Sequence, residues 1–188
     1  MTLQLIITTR TEPRLLRLMQ RHYSQPKGFV GRNICYSISY NGIYYGHIVA
    51  GSSTKFLPGR HEFLGTNKSN LNNIINNIFF HVEKVQDKYP ARNFTSLIIK
   101  EFVKQSQVDW LAKYNNIVVG FESLVELPRS GECYKKAGWT EVGMTKGFTC
   151  KREAGKGTDS WSGKRVWDTT NLRPKRVFCL RIKNDENS

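Results

Sequence analysis

Between Gly120 and Lys151 the chain reads GFESLVELPRSGECYKKAGWTEVGMTKGFTCK, and this stretch decides the fold. An apolar, branched run from Ile117 to Phe121 leads into it, with the length and composition of a buried strand. Glu122 and Glu126 stand at the end of that strand, ahead of the turn residues Pro128, Ser130 and Gly131. Glu132 to Ala137 then suits a short helix, closed by Gly138, which can take the left-handed conformation that a helix C-terminus needs. Trp139 follows as a packing anchor, and Thr140 to Thr145 reads as the next strand. A strand, a one-turn helix, a glycine–aromatic pair and a strand in succession point to a mixed α/β domain.

The rest of the chain extends that pattern on both sides. Leu3 to Thr9 reads as a first strand, and MTLQLIITTR has neither the basic leader nor the cleavage site of a secretion signal. A helix is expected from Glu12 to about Tyr23, with Thr11 as its N-cap and Pro13 in its first turn. At 100° per residue, Leu15, Leu18, Met19 and His22 share one face, and Arg14, Arg17 and Arg21 the opposite one. His22 therefore ends an inward stripe, either as a satisfied core histidine or as a functional base beside Tyr23 and the loop SQPKGFVGRN. Asn41-Gly42, set between alternating runs from Ile34 to Ser53, is a strong hairpin signal. Asparagines crowd Asn70 to Asn77 before a strand at Ile78 to Val82; they suit a polar loop or a set of amide contacts to a substrate, and Asn76 and Asn77 favour the second. Pro90 to Tyr114 is the longest helical pattern, carried by Leu97, Ile98, Phe102, Val108 and Leu111, with Thr95 or Ser96 as its cap. Val177 to Ile182 forms the last strand.

Composition limits the partners. The 188 residues suit one domain, 1–183, with a disordered tail at 184–188, and a hydrophobic fraction of 39% supports a packed core. No run of 18 apolar residues predicts a membrane span. Four cysteines without a C-x-x-C pair argue against a zinc site or a disulfide framework, so no metal is expected and a reducing cytoplasm is. A formal charge of +14 points to a polyanion, nucleic acid before membrane. From Thr145 to Arg176 nine Lys or Arg face three Asp or Glu, with Trp161 and Trp167 among them. Basic residues interleaved with aromatics suit phosphate neutralisation and base stacking; the alternative is a solvated loop over two buried tryptophans. This basic insertion, about 150–175, lies between the last two strands.

The element order and Tyr-x-x-x-Gly-Trp at Tyr134 to Trp139 resemble the GCN5-type N-acetyltransferase (GNAT) core. More closely, HYSQPKGFVGRN, GIYYGHIV, NNIINNIFF, ESLVELPRSGECYKKAGWTEVGMTKGF and KRVWDTTNLRPKRV resemble the Mom family of phage DNA-modification proteins over about Arg10 to Ile182. The resemblance implies conversion of adenine in double-stranded DNA to N6-(carbamoylmethyl)adenine, which hides phage DNA from host restriction enzymes. It also implies functional roles for His22 and Tyr23, and aligns Asp109 and Ser96 with an acidic residue and a serine important in that family. One departure from the general GNAT pattern is KYPARNFTSL, which lacks the R-x-x-G-x-G/A glycines that admit the pyrophosphate of coenzyme A to a helix N-terminus. Arg92, Asn93 and the Thr95 and Ser96 hydroxyls remain as donor-binding candidates.

These readings combine into a mechanism. The adenine amine is a poor nucleophile whose base must leave the stack before it can react. His22 would serve as general base, and Tyr23 or Tyr134 would protonate the leaving group or bind the oxyanion. Asp109 would orient a base, or is a surface acid on the long helix. Asn76, Asn77, Glu122 and Ser123 are substrate-binding candidates. Arg14, Arg17, Arg21, Lys27, Arg32, Lys164, Arg165, Lys175 and Arg176 are candidates for DNA contact. The product carries an alkyl link, which simple acyl transfer does not make. Glycine acylated onto the adenine amine could attack the ring carbon through its own amino group, and expulsion of the original nitrogen as an amide would give the carbamoylmethyl group. The donor expected is therefore an activated glycine such as glycyl-tRNA, with tRNA a further partner and acetyl-CoA the alternative. A DNA-binding protein without chemistry is a second reading, and an ordinary protein or small-molecule acetyltransferase a third, against which the absent R-x-x-G-x-G stands.

Overall fold

The computed structural model describes residues 2–24, 26–153 and 164–182. The strands are β1 (Leu3–Thr8), β2 (Asn33–Tyr40), β3 (Ile43–Ser52), β4 (Ile74–Val82), β5 (Gly120–Glu126), β6 (Thr140–Met144), β7 (Thr149–Glu153), β8 (Lys164–Asp168) and β9 (Lys175–Arg181). The helices are α1 (Pro13–Arg21), α2 (Arg60–Leu64), α3 (Phe94–Tyr114) and α4 (Glu132–Lys136). Seven strands form one sheet in the order β1-β2-β3-β4-β5-β9-β6, with only β4 and β5 parallel. The mixed α/β architecture expected from the sequence is the one observed.

Strand alternation sends side chains to two faces. Ile34, Tyr36, Ile38, Ile48, Ala50, Ile75, Phe121 and Phe178 pack under α3 and α4, with Trp139 buried among them. Cys35, Val49 and Phe79 point the other way, under Leu15, Leu18 and Met19 of α1. Ile74, Val177 and Cys179 meet Leu64 of α2 on that same side. Helices thus cover both faces, and the apolar stripe of α1 fits its expected direction.

Several boundaries differ from the sequence reading. Glu12, not Thr11, caps α1, because its carboxylate accepts the Leu15 N–H at 2.7 Å. The long helix starts at Phe94 after Asn93 in the left-handed conformation, φ 57°, so neither Thr95 nor Ser96 is its cap. Its buried face is Phe94, Ile98, Ile99, Phe102 and Trp110, whereas Leu97, Val108 and Leu111 are exposed. Apolar residues occupy both sides of this helix, so periodicity alone could not choose between them. β4 begins at Ile74 rather than Ile78, which puts Asn76 and Asn77 inside a strand. The insertion holds a two-stranded ribbon, β7 with β8. After it the chain re-enters the sheet as β9, between β5 and β6.

Candidate active site

β4 and β5 are paired for only four residues, Ile74 to Asn77 against Gly120 to Ser123. Beyond that point the ladder against β3 shifts, with Val49 opposite Phe79 and Ala50 opposite Asn77, so Ile78 is an extra residue in β4. The strand bends away, while β5 stays paired with β9 to Glu126. A cavity of about 750 Å³ fills the gap, walled by the parted strands, the end of α1, and the β5–α4 turn with the start of α4.

α1 supplies one wall. Its last N–H bond is His22 N to Leu18 O at 2.8 Å; His22 is extended, which drops its ring over β4. His22 is 6% exposed, its ring against those of Tyr23, Phe79 and His81 at centroid distances of 4.1, 4.8 and 5.8 Å. Burial, reinforced by the nearby His81 and Arg129, lowers its pKa from 6.5 to about 4 against the pull of the Phe80 carbonyl. The imidazole is therefore neutral at pH 7 and able to accept a proton. Tyr23 is partly exposed beneath the Arg129 guanidinium, 3.6 Å from its ring centroid. Burial pushes the Tyr23 phenol up against the opposing pull of Arg129.

α4 supplies the opposite wall. Gly131 precedes it with φ 72°, and a Cβ there would fall 2.4 Å from the Phe178 ring, so the turn requires glycine. The Tyr134 ring stacks on Phe178, and its hydroxyl donates to Asn77 Oδ1 at 2.6 Å. Asn77 is fixed in turn by donating to the carbonyls of Val49 and Phe79 at 3.2 and 3.0 Å. Burial raises the Tyr134 pKa above its ordinary value, so the phenol keeps its proton. Asn76, adjacent along β4, faces the α1 side instead. Its amide donates to Thr54 Oγ1 at 3.1 Å, and its buried Oδ1 has no hydrogen-bond partner among the described residues. The gap thus has an α1 side bearing His22 and Asn76 and an α4 side bearing Tyr134 and Asn77.

His22, Tyr23, Asn76, Asn77, Ser123 and Tyr134 all line this one cavity. Five other candidates do not. Glu122 is fully buried, paired with Arg60 at 2.8 Å and accepting the Thr54 N–H, so it braces the sheet and faces no cavity. Asp109 accepts from Tyr36 Oη at 2.9 Å and from Gln105 Nε2 at 3.1 Å, on α3 away from the lining. Ser96 is buried under the same helix. Arg92 and Asn93 are exposed at the start of α3, where Lys136 of α4 donates to Asn93 Oδ1 at 3.2 Å; neither lines the cavity.

The basic candidates divide similarly. Arg21 and Lys175 reach the cavity mouth, and Arg14, Arg17 and Lys27 are exposed. Arg14 lies over the Tyr44 ring at 4.8 Å. Arg32 is held by Asn116, and Arg176 is held by Glu141 at 2.7 Å. Lys164, Arg165 and Trp167 lie on β8, whose side chains are outside the described residues, as is Trp161. Sequence reasoning missed Ser24, His81 and Arg129. Ser24 directly follows the His-Tyr pair, and Arg129 stands in the same turn as Pro128, Ser130 and Gly131. Among the described residues no cluster of His, Cys, Asp or Glu is placed to hold a metal, and no helix is long and apolar enough to cross a membrane.

No protein-family model matches the sequence, and no curated protein does. Solved structures do match the fold. An Elizabethkingia anophelis GNAT family acetyltransferase with acetyl-CoA bound superposes with a TM-score of 0.55 at 10% identity, over 96% of this chain and 98% of that one. A Bacillus subtilis acetyltransferase in complex with CoA gives 0.57 at 9% identity, over 97% and 100%. An aminoglycoside acetyltransferase in complex with coenzyme A and kanamycin gives 0.54 at 10%, over 96% and 95%. The chain has a GNAT-type fold.

Proposed function

We propose that the protein is an acyltransferase of single-domain form (1–183), acting in the host cytoplasm on double-stranded DNA. Its acceptor would be the exocyclic amine of adenine, and its product N6-(carbamoylmethyl)adenine, protecting phage DNA from restriction. The observation that carries the reading is a single cleft with a neutral His22 on one side and a protonated Tyr134 on the other. An acceptor amine entering from the α1 side meets a base, and an acyl donor lying along α4 meets a proton donor. The exposed Tyr23 ring and the Arg129 guanidinium over it offer an aromatic and cationic surface against which an extruded base can stack. The formal charge of +14 suits a DNA substrate.

For the donor we propose an activated glycine, glycyl-tRNA being one form. Glycyl transfer forms the amide and releases the carrier hydroxyl. Attack of the glycine amine on the ring carbon then expels the adenine nitrogen as the terminal carboxamide. Acetyl-CoA is a second reading, favoured by the ligands of the similar structures and by Asn93. Asn93 adopts the left-handed turn that glycine supplies elsewhere, and leaves the α3 N-terminus without a side-chain cap, open to a phosphate.

The test is mass spectrometry of nucleosides from DNA of cells expressing the soluble chain. The expected product is a deoxyadenosine heavier by C2H3NO. Unmodified deoxyadenosine alone would replace the enzyme with a DNA-binding protein. Heavy-nitrogen glycine should label the amine on the purine ring, and label absent from that position would exclude the glycyl route.

A further inference from the structure

His22 does not meet the cavity with a free basic nitrogen. Its Nδ1 lies 2.7 Å from Ser24 Oγ and 3.3 Å from the Ser24 backbone nitrogen. A backbone N–H can only donate, so Nδ1 is the acceptor and the neutral ring carries its proton on Nε2. With Nδ1 unprotonated, the short contact to Oγ is a bond donated by the serine hydroxyl. The ring is buried, whereas Ser24 is exposed and lines the cavity. The hydroxyl therefore points its proton at His22 and turns its lone pairs toward the space an acceptor would occupy.

We infer that Ser24 is the group through which His22 exchanges protons with the acceptor amine. This rests on the acyl-transfer reading of the same cleft. As the amine nitrogen bonds to the acyl carbon, its N–H proton passes to Ser24 Oγ while the Ser24 hydroxyl proton passes to His22 Nδ1. Ser24 ends unchanged, and the imidazolium holds one extra proton, on Nδ1. Once the leaving group has departed with the Tyr134 proton, His22 passes its extra proton through Ser24 to solvent, and Tyr134 takes one back from solvent. No bond forms to Ser24, and no further reactant is consumed. A weak base suffices here, because an aromatic amine becomes strongly acidic once it begins to carry positive charge. Ser24 also explains how so buried a histidine could serve a substrate as large as a nucleotide: only the small hydroxyl has to be reached.

Nitrogen NMR of the full chain labelled at histidine, read beside modification rates, tests the relay. The expected result is His22 as the Nε2–H tautomer, with an Nδ1 signal that moves in Ser24→Ala. Ser24→Ala should modify DNA about a hundredfold more slowly with an unchanged melting temperature, and Ser24→Thr should restore most of the rate. An Nδ1–H tautomer would overturn the relay whatever the acceptor, as would full activity in Ser24→Ala. A wild-type chain that modifies no DNA, yet holds the Nε2–H tautomer bonded to Ser24, would remove the DNA reading and support the relay for another acceptor.

Discussion

The two halves of the β4–β5 pair divide the labour of this fold. In the paired half, Asn76 lies opposite Glu122 and Asn77 opposite Ser123, and the polar groups there serve mainly structure. The Arg60–Glu122 pair is fully enclosed, with Arg60 also held by the Thr54 and Lys55 carbonyls. In the parted half, Ile78 to Val82 and Leu124 to Val125 no longer hold each other, and their separation makes the cavity. Polar groups there are held by hydrogen bonds yet border open space: His22 is neutral, Tyr134 keeps its proton, and Tyr23 is open to solvent. Burial by itself therefore does not mark function here. Glu122 and His22 are both buried, but only His22 borders space that a substrate could enter.

Breaking the paired half should have the largest effect. Arg60→Ala leaves Glu122 buried without its counter-charge, and should cost roughly 3–5 kcal/mol in urea unfolding. A loss below about 1 kcal/mol would mean that water reaches the pair. In the parted half, Tyr134→Phe removes one hydroxyl and leaves Asn77 Oδ1 buried and unpaired, for about 1–3 kcal/mol. Its modification rate should fall by about 10²-fold, more than its modest instability explains.

pH sharpens the contrast further. His22 and His47 both fall from 6.5 to about 4, and in each burial is the main cause; for His47 it prevails over the Glu12 carboxylate 3.3 Å away. The unfolded chain therefore takes up protons that the folded chain refuses as pH drops through this interval. Stability should be at full strength above about pH 6.5 and decline toward pH 4. Thermal melts across that range should show the decline, and His22→Gln should make it shallower. A flat profile would contradict a neutral, buried His22. The smallest effect concerns the basic face of α1. Replacing Arg14 and Arg17 with Gln should leave melting unchanged and flatten the salt dependence of DNA binding, by about 0.9 in log–log slope for each phosphate no longer neutralised.

Much of the framework is legible in the sequence because local signals are strong. Asn41-Gly42 marks the β2–β3 hairpin, Gly131 and Gly138 bracket α4, and the α1 stripe points His22 inward. The cleft itself is not legible, since it arises from one extra residue, Ile78, in a ladder that only tertiary pairing defines. Glu122 looks like a site residue because it stands beside Ser123 on a central strand. Its partner Arg60 is 62 positions away in a turn-rich segment, so the enclosed pair cannot be read from spacing. Asp109 rests on resemblance; Gln105 stands one helical turn before it, but no local pattern brings Tyr36, 73 positions away, to its carboxylate. Ser24 escapes a reading of the sequence because its role depends on His22 ending α1 in an extended conformation.

On the proposed function, reaction occurs in the parted half and not along α3. Nucleoside mass spectrometry on DNA from cells expressing soluble His22→Gln and soluble Asp109→Asn tests it directly. Modification should vanish in His22→Gln and persist near the wild-type level in Asp109→Asn. Modified adenine surviving in His22→Gln, or lost in a well-folded Asp109→Asn, would contradict this account.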